Sequence, residues 1–186
     1  MPDRLSRRDL TRRLAETFAW RGDRFDEHRY ADVTGWWSDP ELLGSLGHHL
    51  ATLVPHKPTV VLGLQSRGFH LGALVAVELG VGFVEVRKNP KPFADSDRWL
   101  TRATPPDYRD RQLTLGFPAR LLKPADRVLL VDDWVDTGGQ ALGVQRLVEA
   151  AEAHWAGMAV IVDALVNNDV RRRLAVSALV RERDLS

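Results

Sequence analysis

The 186-residue chain contains no cysteine, which excludes disulfide bridges, thiolate metal sites and a cysteine nucleophile. Charge of one sign is also missing. Lysine and arginine number 26 against 25 acidic residues, so no global basic field points to nucleic acid or to an anionic membrane, and an anionic ligand must be held by local groups. No apolar run approaches the roughly 20 residues needed to span a bilayer, and the first twenty residues lack the apolar stretch of a secretion signal. A cytoplasmic protein is the expectation. Internal repeats and low-complexity linkers are lacking too, so residues 1–186 are expected to form one domain. The 44% of apolar residues is enough to build a core at this length.

What is present is a strand–turn–helix grammar used twice. An amphipathic first helix (Leu5, Leu10, Leu14, Phe18) carries arginines expected to form a solvated face. SDPE (38–41) offers an N-cap, a proline in the first turn and a reciprocal glutamate, opening a helix over 40–54. Then TVVLGL (59–64) reads as a buried strand, QSRG as a turn, FHLGALVAVELG as a helix and GFVEVRK as a second strand. The second half repeats the pattern with RVLLVDD, WVDTGG, a helix from Gln140 and the strand GMAVIVDAL. Fully apolar strands joined by helices predict an α/β protein with a parallel sheet and ligands at the carboxyl ends of the strands, where both turns lie. A proline-rich, charged interval over 88–110 separates the halves as an insertion loop.

RVLLVDDWVDTGGQ (127–140) carries the strongest chemistry. Adjacent residues of an extended strand point to opposite sides, so at least one of Asp132 and Asp133 should face the crevice and accept hydrogen bonds from sugar hydroxyls. Gly138 and Gly139 allow the backbone to curl its N–H groups inward at a helix N-terminus, a site for phosphate formed by Thr137 and the 137–140 amides, Gln140 included, with Asp136 counted among the PRPP-binding residues. Arg67, in the first turn, adds a two-pronged cation for phosphate oxygens.

VLLVDDWVDTGG resembles the phosphoribosyl pyrophosphate (PRPP) signature of type I phosphoribosyltransferases. Residues 63–88 resemble the pyrophosphate-loop, helix and strand region of the adenine phosphoribosyltransferases, and YADVTGWWSDPELL (30–43) resembles their hood. The resemblance implies a Rossmann-like core with a small hood over 1–40 and a flexible loop over 88–112. It implies transfer of ribose 5-phosphate from PRPP to a purine-like base, with magnesium brought in on PRPP and no direct protein metal ligands. It places pyrophosphate on Gln65, Ser66, Arg67 and Gly68, with Arg87 and Lys88 contributing across a homodimer interface. Tyr30 would stack on the base, and Trp134 would stand beside it or pack beneath the loop; Trp36 and Trp37 are read as packing residues.

The loop lacks the family's proton-handling glutamate: none occurs between Glu85 and Glu149. Either Asp107 or Asp110, the loop carboxylates offered in its place, handles the proton, or the acceptor is nucleophilic enough to need none, with Arg67 assisting the leaving group. Trp134 replaces a small aliphatic residue of the family, and Gln65, Ser66 and Gln140 depart from its usual residues. These departures lead to the expectation that adenine is a poor acceptor. The alternative is a PRPP- or nucleotide-sensing regulator that has lost catalysis. His48, His49, His56 and His70 show no metal-ligand pattern, and no pattern is assigned beyond 167.

Overall fold

The computed structural model describes residues 4–22, 30–54, 57–91, 98–105 and 112–185. Its centre is a seven-stranded sheet in the order β5-β6-β4-β3-β7-β8-β9. These strands are β3 (Val60–Leu64), β4 (Gly82–Lys88), β5 (Trp99–Ala103), β6 (Thr114–Pro118), β7 (Arg127–Val135), β8 (His154–Asp163) and β9 (Val176–Arg181). The five from β4 to β9 run parallel, and the β5–β6 hairpin joins β4 antiparallel.

Side chains alternate between the two faces. Val61, Leu129, Val131, Ala159 and Ile161 face one apolar cluster; Val60, Leu62, Leu64, Val128, Leu130 and Val160 face the other. Because both faces are covered, β3 is buried at every residue and reads as an unbroken apolar run. Helices α3 (Pro40–Ala51) and α4 (Arg67–Leu79) supply Leu42, Leu46, Leu50, Leu71 and Val75 to the first cluster. Helix α5 (Gly139–Ala150) supplies Ala141, Val144, Leu147 and Val148 to the second.

The N-terminal segment expected to form the hood comprises α1 (Arg7–Glu16), the antiparallel pair β1 (Ala19–Arg21) and β2 (Tyr30–Asp32), and the short α2 (Thr34–Ser38). Trp36 is fully buried and its indole N–H donates to the carbonyl of Leu14 at 3.0 Å, the packing role expected of it. Leu10 and Leu14 form the buried stripe of α1, but its arginines are not simply a solvated face. Arg7 donates to the Leu179 carbonyl at 2.7 Å, and Arg13 reaches Asp39 at 2.8 Å and Glu41 at 2.7 Å, fastening the hood to β9 and α3.

Four local expectations are corrected. Helix α3 is capped by Asp39, whose carboxylate accepts from the N–H groups of Glu41 and Leu42. Glu41 is drawn to Arg13 instead of closing a reciprocal box, and the helix ends at Ala51 rather than at 54. The interval over 88–112 is not all loop, because β5 forms within it and pairs with β6. Beyond 167 the chain builds α6 (Asn168–Arg173) and the parallel strand β9. No described helix is long and apolar enough to cross a membrane.

Candidate active site

The two turns named from sequence meet at the carboxyl ends of β3 and β7. The first depends on glycine at 63 and 68. A Cβ at Gly63 would sit 2.2 Å from the Gly68 carbonyl oxygen, and one at Gly68 would sit 2.9 Å from the Val131 carbonyl, so only bare backbones allow the turn to fold back onto the sheet. Within it, the Gln65–Ser66 peptide is cis. Gln65 is tied to β4: its N–H donates to the Val86 carbonyl at 3.0 Å, and its side-chain oxygen accepts from the Lys88 N–H at 2.9 Å. Ser66 stands at the N-cap position of α4 without a side-chain capping bond, leaving the first amides of that helix open to an anion.

The two aspartates have separate surroundings. Asp132 lines a cleft of about 210 Å³, whereas Asp133 is buried at 7% exposure and its carboxylate is paired with the Arg67 guanidinium. The Asp133 N–H donates back to Asp132 Oδ1 at 2.9 Å. Burial, then the neighbouring Asp133 charge, pushes the Asp132 carboxyl well above the usual carboxylate range, while Lys88 partly opposes the shift. The raised value favours the protonated carboxyl in the ligand-free cleft, and hydroxyls donating to Asp132 would shift it back toward the ionised form.

Lys88 and Arg87 do not act as a pair. They alternate on β4, so Lys88 shares the side of Val86, and its charge is felt at Asp132. Arg87 lies among residues of the opposite side with Phe83 and Glu85, and Glu85 accepts from its Nε at 3.0 Å and from Nη2 at 2.6 Å.

The second turn forms the other wall of the cleft, lined by Asp136, Thr137, Gly138, Gly139 and Gln140. Gly138 adopts φ 78°, the left-handed conformation that favours glycine, and stands as the N-cap of α5 without a side chain to occupy the first amides. Thr137 Oγ1 accepts from the Gly139 N–H at 3.4 Å. Leu64, Ala141 and Met158 complete the lining as an apolar floor, and nothing in their sequence spacing marked them for it.

Trp134 also borders the cleft, yet its indole belongs to the hood. It stacks on Phe18 with centroids 6.1 Å apart and meets Trp20 edge-on at 6.1 Å. From sequence Phe18 is read only as part of the apolar stripe of the first helix, which ends at Glu16, and Trp20 is not singled out, because an aromatic set contributed by separate segments has no period to reveal it. Tyr30 is 64% exposed on β2 opposite Arg21, and the structure does not bring it to the cleft lining. Asp107 and Asp110 lie outside the described residues, as does His56. His49 is buried with Nε2 2.8 Å from the Leu5 carbonyl, a packing role. Among the described residues no three metal-binding side chains cluster.

The profile of the phosphoribosyl transferase domain family matches residues 46–182. An adenine phosphoribosyltransferase of Streptomyces clavuligerus is 38% identical over 136 residues, covering 72% of this chain and 73% of the relative. One from Francisella tularensis subsp. tularensis is 34% identical over 160 residues, covering 82% and 87%. The crystal structure of adenine phosphoribosyltransferase from Rhodothermus marinus superposes with a TM-score of 0.78 at 29% identity, covering 94% of this chain and 99% of that one.

Proposed function

The chain belongs to the phosphoribosyltransferase family, as a type I enzyme closest in pattern to the adenine phosphoribosyltransferases, and from that premise we propose that its acceptor base is adenine and that the cleft between the two turns holds PRPP. The relatives named above, all adenine phosphoribosyltransferases by name, support the first part. The observation that carries the second is the meeting of two glycine-dependent, anion-ready turns on either side of Asp132. The regulatory alternative gains nothing from these relatives.

Trp134 borders the cleft while its indole packs on Phe18 and Trp20, so it joins the N-terminal segment to the wall of the pocket. Asp107 and Asp110 lie outside the described residues. The test is a panel of purine and pyrimidine bases incubated with PRPP and magnesium, following pyrophosphate release and nucleoside monophosphate. Adenine should give the highest kcat/KM, and Trp134→Leu should change KM for the base more than KM for PRPP. Turnover of another base with adenine inert would reject the assignment.

In this reading the amides and hydroxyl of 137–140 hold the 5-phosphate, and Asp132 accepts from the ribose hydroxyls. Arg67 exchanges Asp133 for pyrophosphate oxygens and, with the α4 amides and Lys88, stabilises the negative charge that grows on the leaving group as the anomeric centre becomes oxocarbenium-like. Magnesium, when bound, would add positive charge to the pyrophosphate.

A homodimer is also part of this proposal. Arg87 faces away from the cleft toward an apolar recess lined by Phe83, Trp99, Pro118 and Leu121, so it would serve a ligand only in a neighbouring subunit. Light scattering should give twice the 20.9 kDa chain mass; a monomer at micromolar concentration would remove any role for Arg87 in pyrophosphate binding.

A further inference from the structure

We propose that α6 is a brace for the 137–140 turn, and that Asp163 and Arg171 are positioning residues for PRPP which act through Val170 rather than by touching the ligand. The proposal rests on the assignment of that turn to the 5-phosphate.

Gly138 is packed from behind by the segment that follows β8. A Cβ at Gly138 would meet Val170 Cγ1 at 2.6 Å, Leu165 Cδ2 at 3.3 Å and Leu174 Cδ1 at 3.4 Å. None of these three lines the cleft, so they press on the face of the turn opposite the ligand. A short helix of six residues cannot hold such a position by its own stability. Its fastenings are polar and largely buried. Arg171 Nε donates to Asp163 Oδ2 at 2.7 Å and Nη2 to Oδ1 at 3.3 Å, with side-chain exposures of 16% and 4%. The same guanidinium donates to the Leu165 carbonyl and to Asn168 Oδ1, closing the connection between β8 and α6 into a loop. Asp163 Oδ1 also accepts from the Leu165 N–H at 3.0 Å, and Arg181 approaches the carboxylate at 3.8 Å. On the other side, Arg173 Nε donates to Gln145 Oε1 of α5 at 2.9 Å.

The α6 segment is thereby tied to β8 and to α5, the helix whose N-terminal amides form half of the phosphate turn. Removing the cation from a buried pair leaves the partner carboxylate uncompensated, and a small displacement of preorganised donors costs affinity steeply. The effect must be local to one end of the ligand. The 137–140 turn takes ribose 5-phosphate, while pyrophosphate binds 65–68 on the far side of Asp132.

Calorimetry with ribose 5-phosphate and, separately, with inorganic pyrophosphate plus magnesium reads this selectivity in Val170→Ala, Arg171→Met and Thr137→Ala. Val170→Ala opens the contact without touching the ion pair, and therefore decides the matter should Arg171→Met fail to fold. Both brace variants should weaken ribose 5-phosphate about five- to tenfold and leave pyrophosphate within twofold. Equal loss of both ligands, or no loss of either, would overturn the brace. Thr137→Ala, which strips a donor from the turn itself, separates the two claims. If it leaves ribose 5-phosphate binding intact, the phosphate assignment fails and the brace with it; if it weakens binding while the brace variants do not, only the brace fails.

Discussion

Replacing both aspartates near the end of β7, Asp132→Asn with Asp133→Asn, should lower PRPP affinity by about 10- to 100-fold. The charge-assisted acceptor lost at Asp132 is worth roughly 1.5–3 kcal/mol, and every 1.4 kcal/mol is a factor of ten. The two single variants should differ in kind. Asp133→Asn releases Arg67 from its ion pair, which frees that guanidinium for pyrophosphate and offsets part of the loss. Asp132→Asn removes the carboxylate that lines the cleft and has no such compensation. It should also stabilise the ligand-free protein. The Asp132 carboxyl is held well above its ordinary value of 3.8, first by burial and then by Asp133, so ionising it costs more in the folded than in the unfolded chain. Its contribution to stability is fully present below the ordinary value and is lost as pH rises through the raised folded value. The asparagine variant escapes that loss, and its Tm at neutral pH should exceed that of the parent. A lower Tm together with undiminished PRPP binding would place the ribose elsewhere.

The second large effect is expected at a residue that offers no chemistry of its own. Gly63→Ala would put a methyl group 2.2 Å from the Gly68 carbonyl oxygen and 2.8 Å from Phe83 Cε2. The ring could move, but the carbonyl belongs to backbone held by α4, so the 65–68 turn must lift from the sheet. Overpacking of a tight core costs about 1–3 kcal/mol, and a backbone clash belongs at the upper end, which corresponds to a fall in Tm of roughly 5–10 °C. Pyrophosphate binding should be lost out of proportion, because the same movement displaces Arg67 and the first amides of α4. Thermal melting combined with pyrophosphate calorimetry checks both parts. An alanine variant with an unchanged Tm and unchanged pyrophosphate affinity would mean that the approach of Gly63 to Gly68 is not required.

The particular residues explain what could be read from the sequence. β3, β7 and β8 were legible because strands buried on both faces leave continuous apolar runs, and the DD and TGG elements stood out because two carboxylates and a glycine pair follow such a run directly. The hairpin strand β5 was missed. It lies at the sheet edge, with Thr101, Arg102 and Ala103 exposed, so neither its composition nor its alternation resembles a core strand. Strand β9 and helix α6 were missed for a related reason: their order comes from partners distant in sequence, Met158–Asp163 of β8 for the strand and Asp163 and Gln145 for the helix. The site divides in the same way. Residue types predicted which groups could bind an anion, but not that Asp133 would already be engaged by Arg67, that Gln65 would spend its side chain on Lys88, or that Trp134 would join Phe18 and Trp20. Each of those outcomes depends on which side of a strand a residue faces and on what another segment brings to it.

The most direct measurement of the central claim is a crystal structure of the protein with PRPP and magnesium. The 5-phosphate should lie within hydrogen-bond distance of the 137–140 amides, the ribose hydroxyls on Asp132, and the pyrophosphate on Arg67 and the 65–68 turn with the Arg67–Asp133 pair opened. A PRPP molecule bound with its 5-phosphate away from 137–140, or with Arg67 still paired to Asp133 and its pyrophosphate elsewhere, would contradict it.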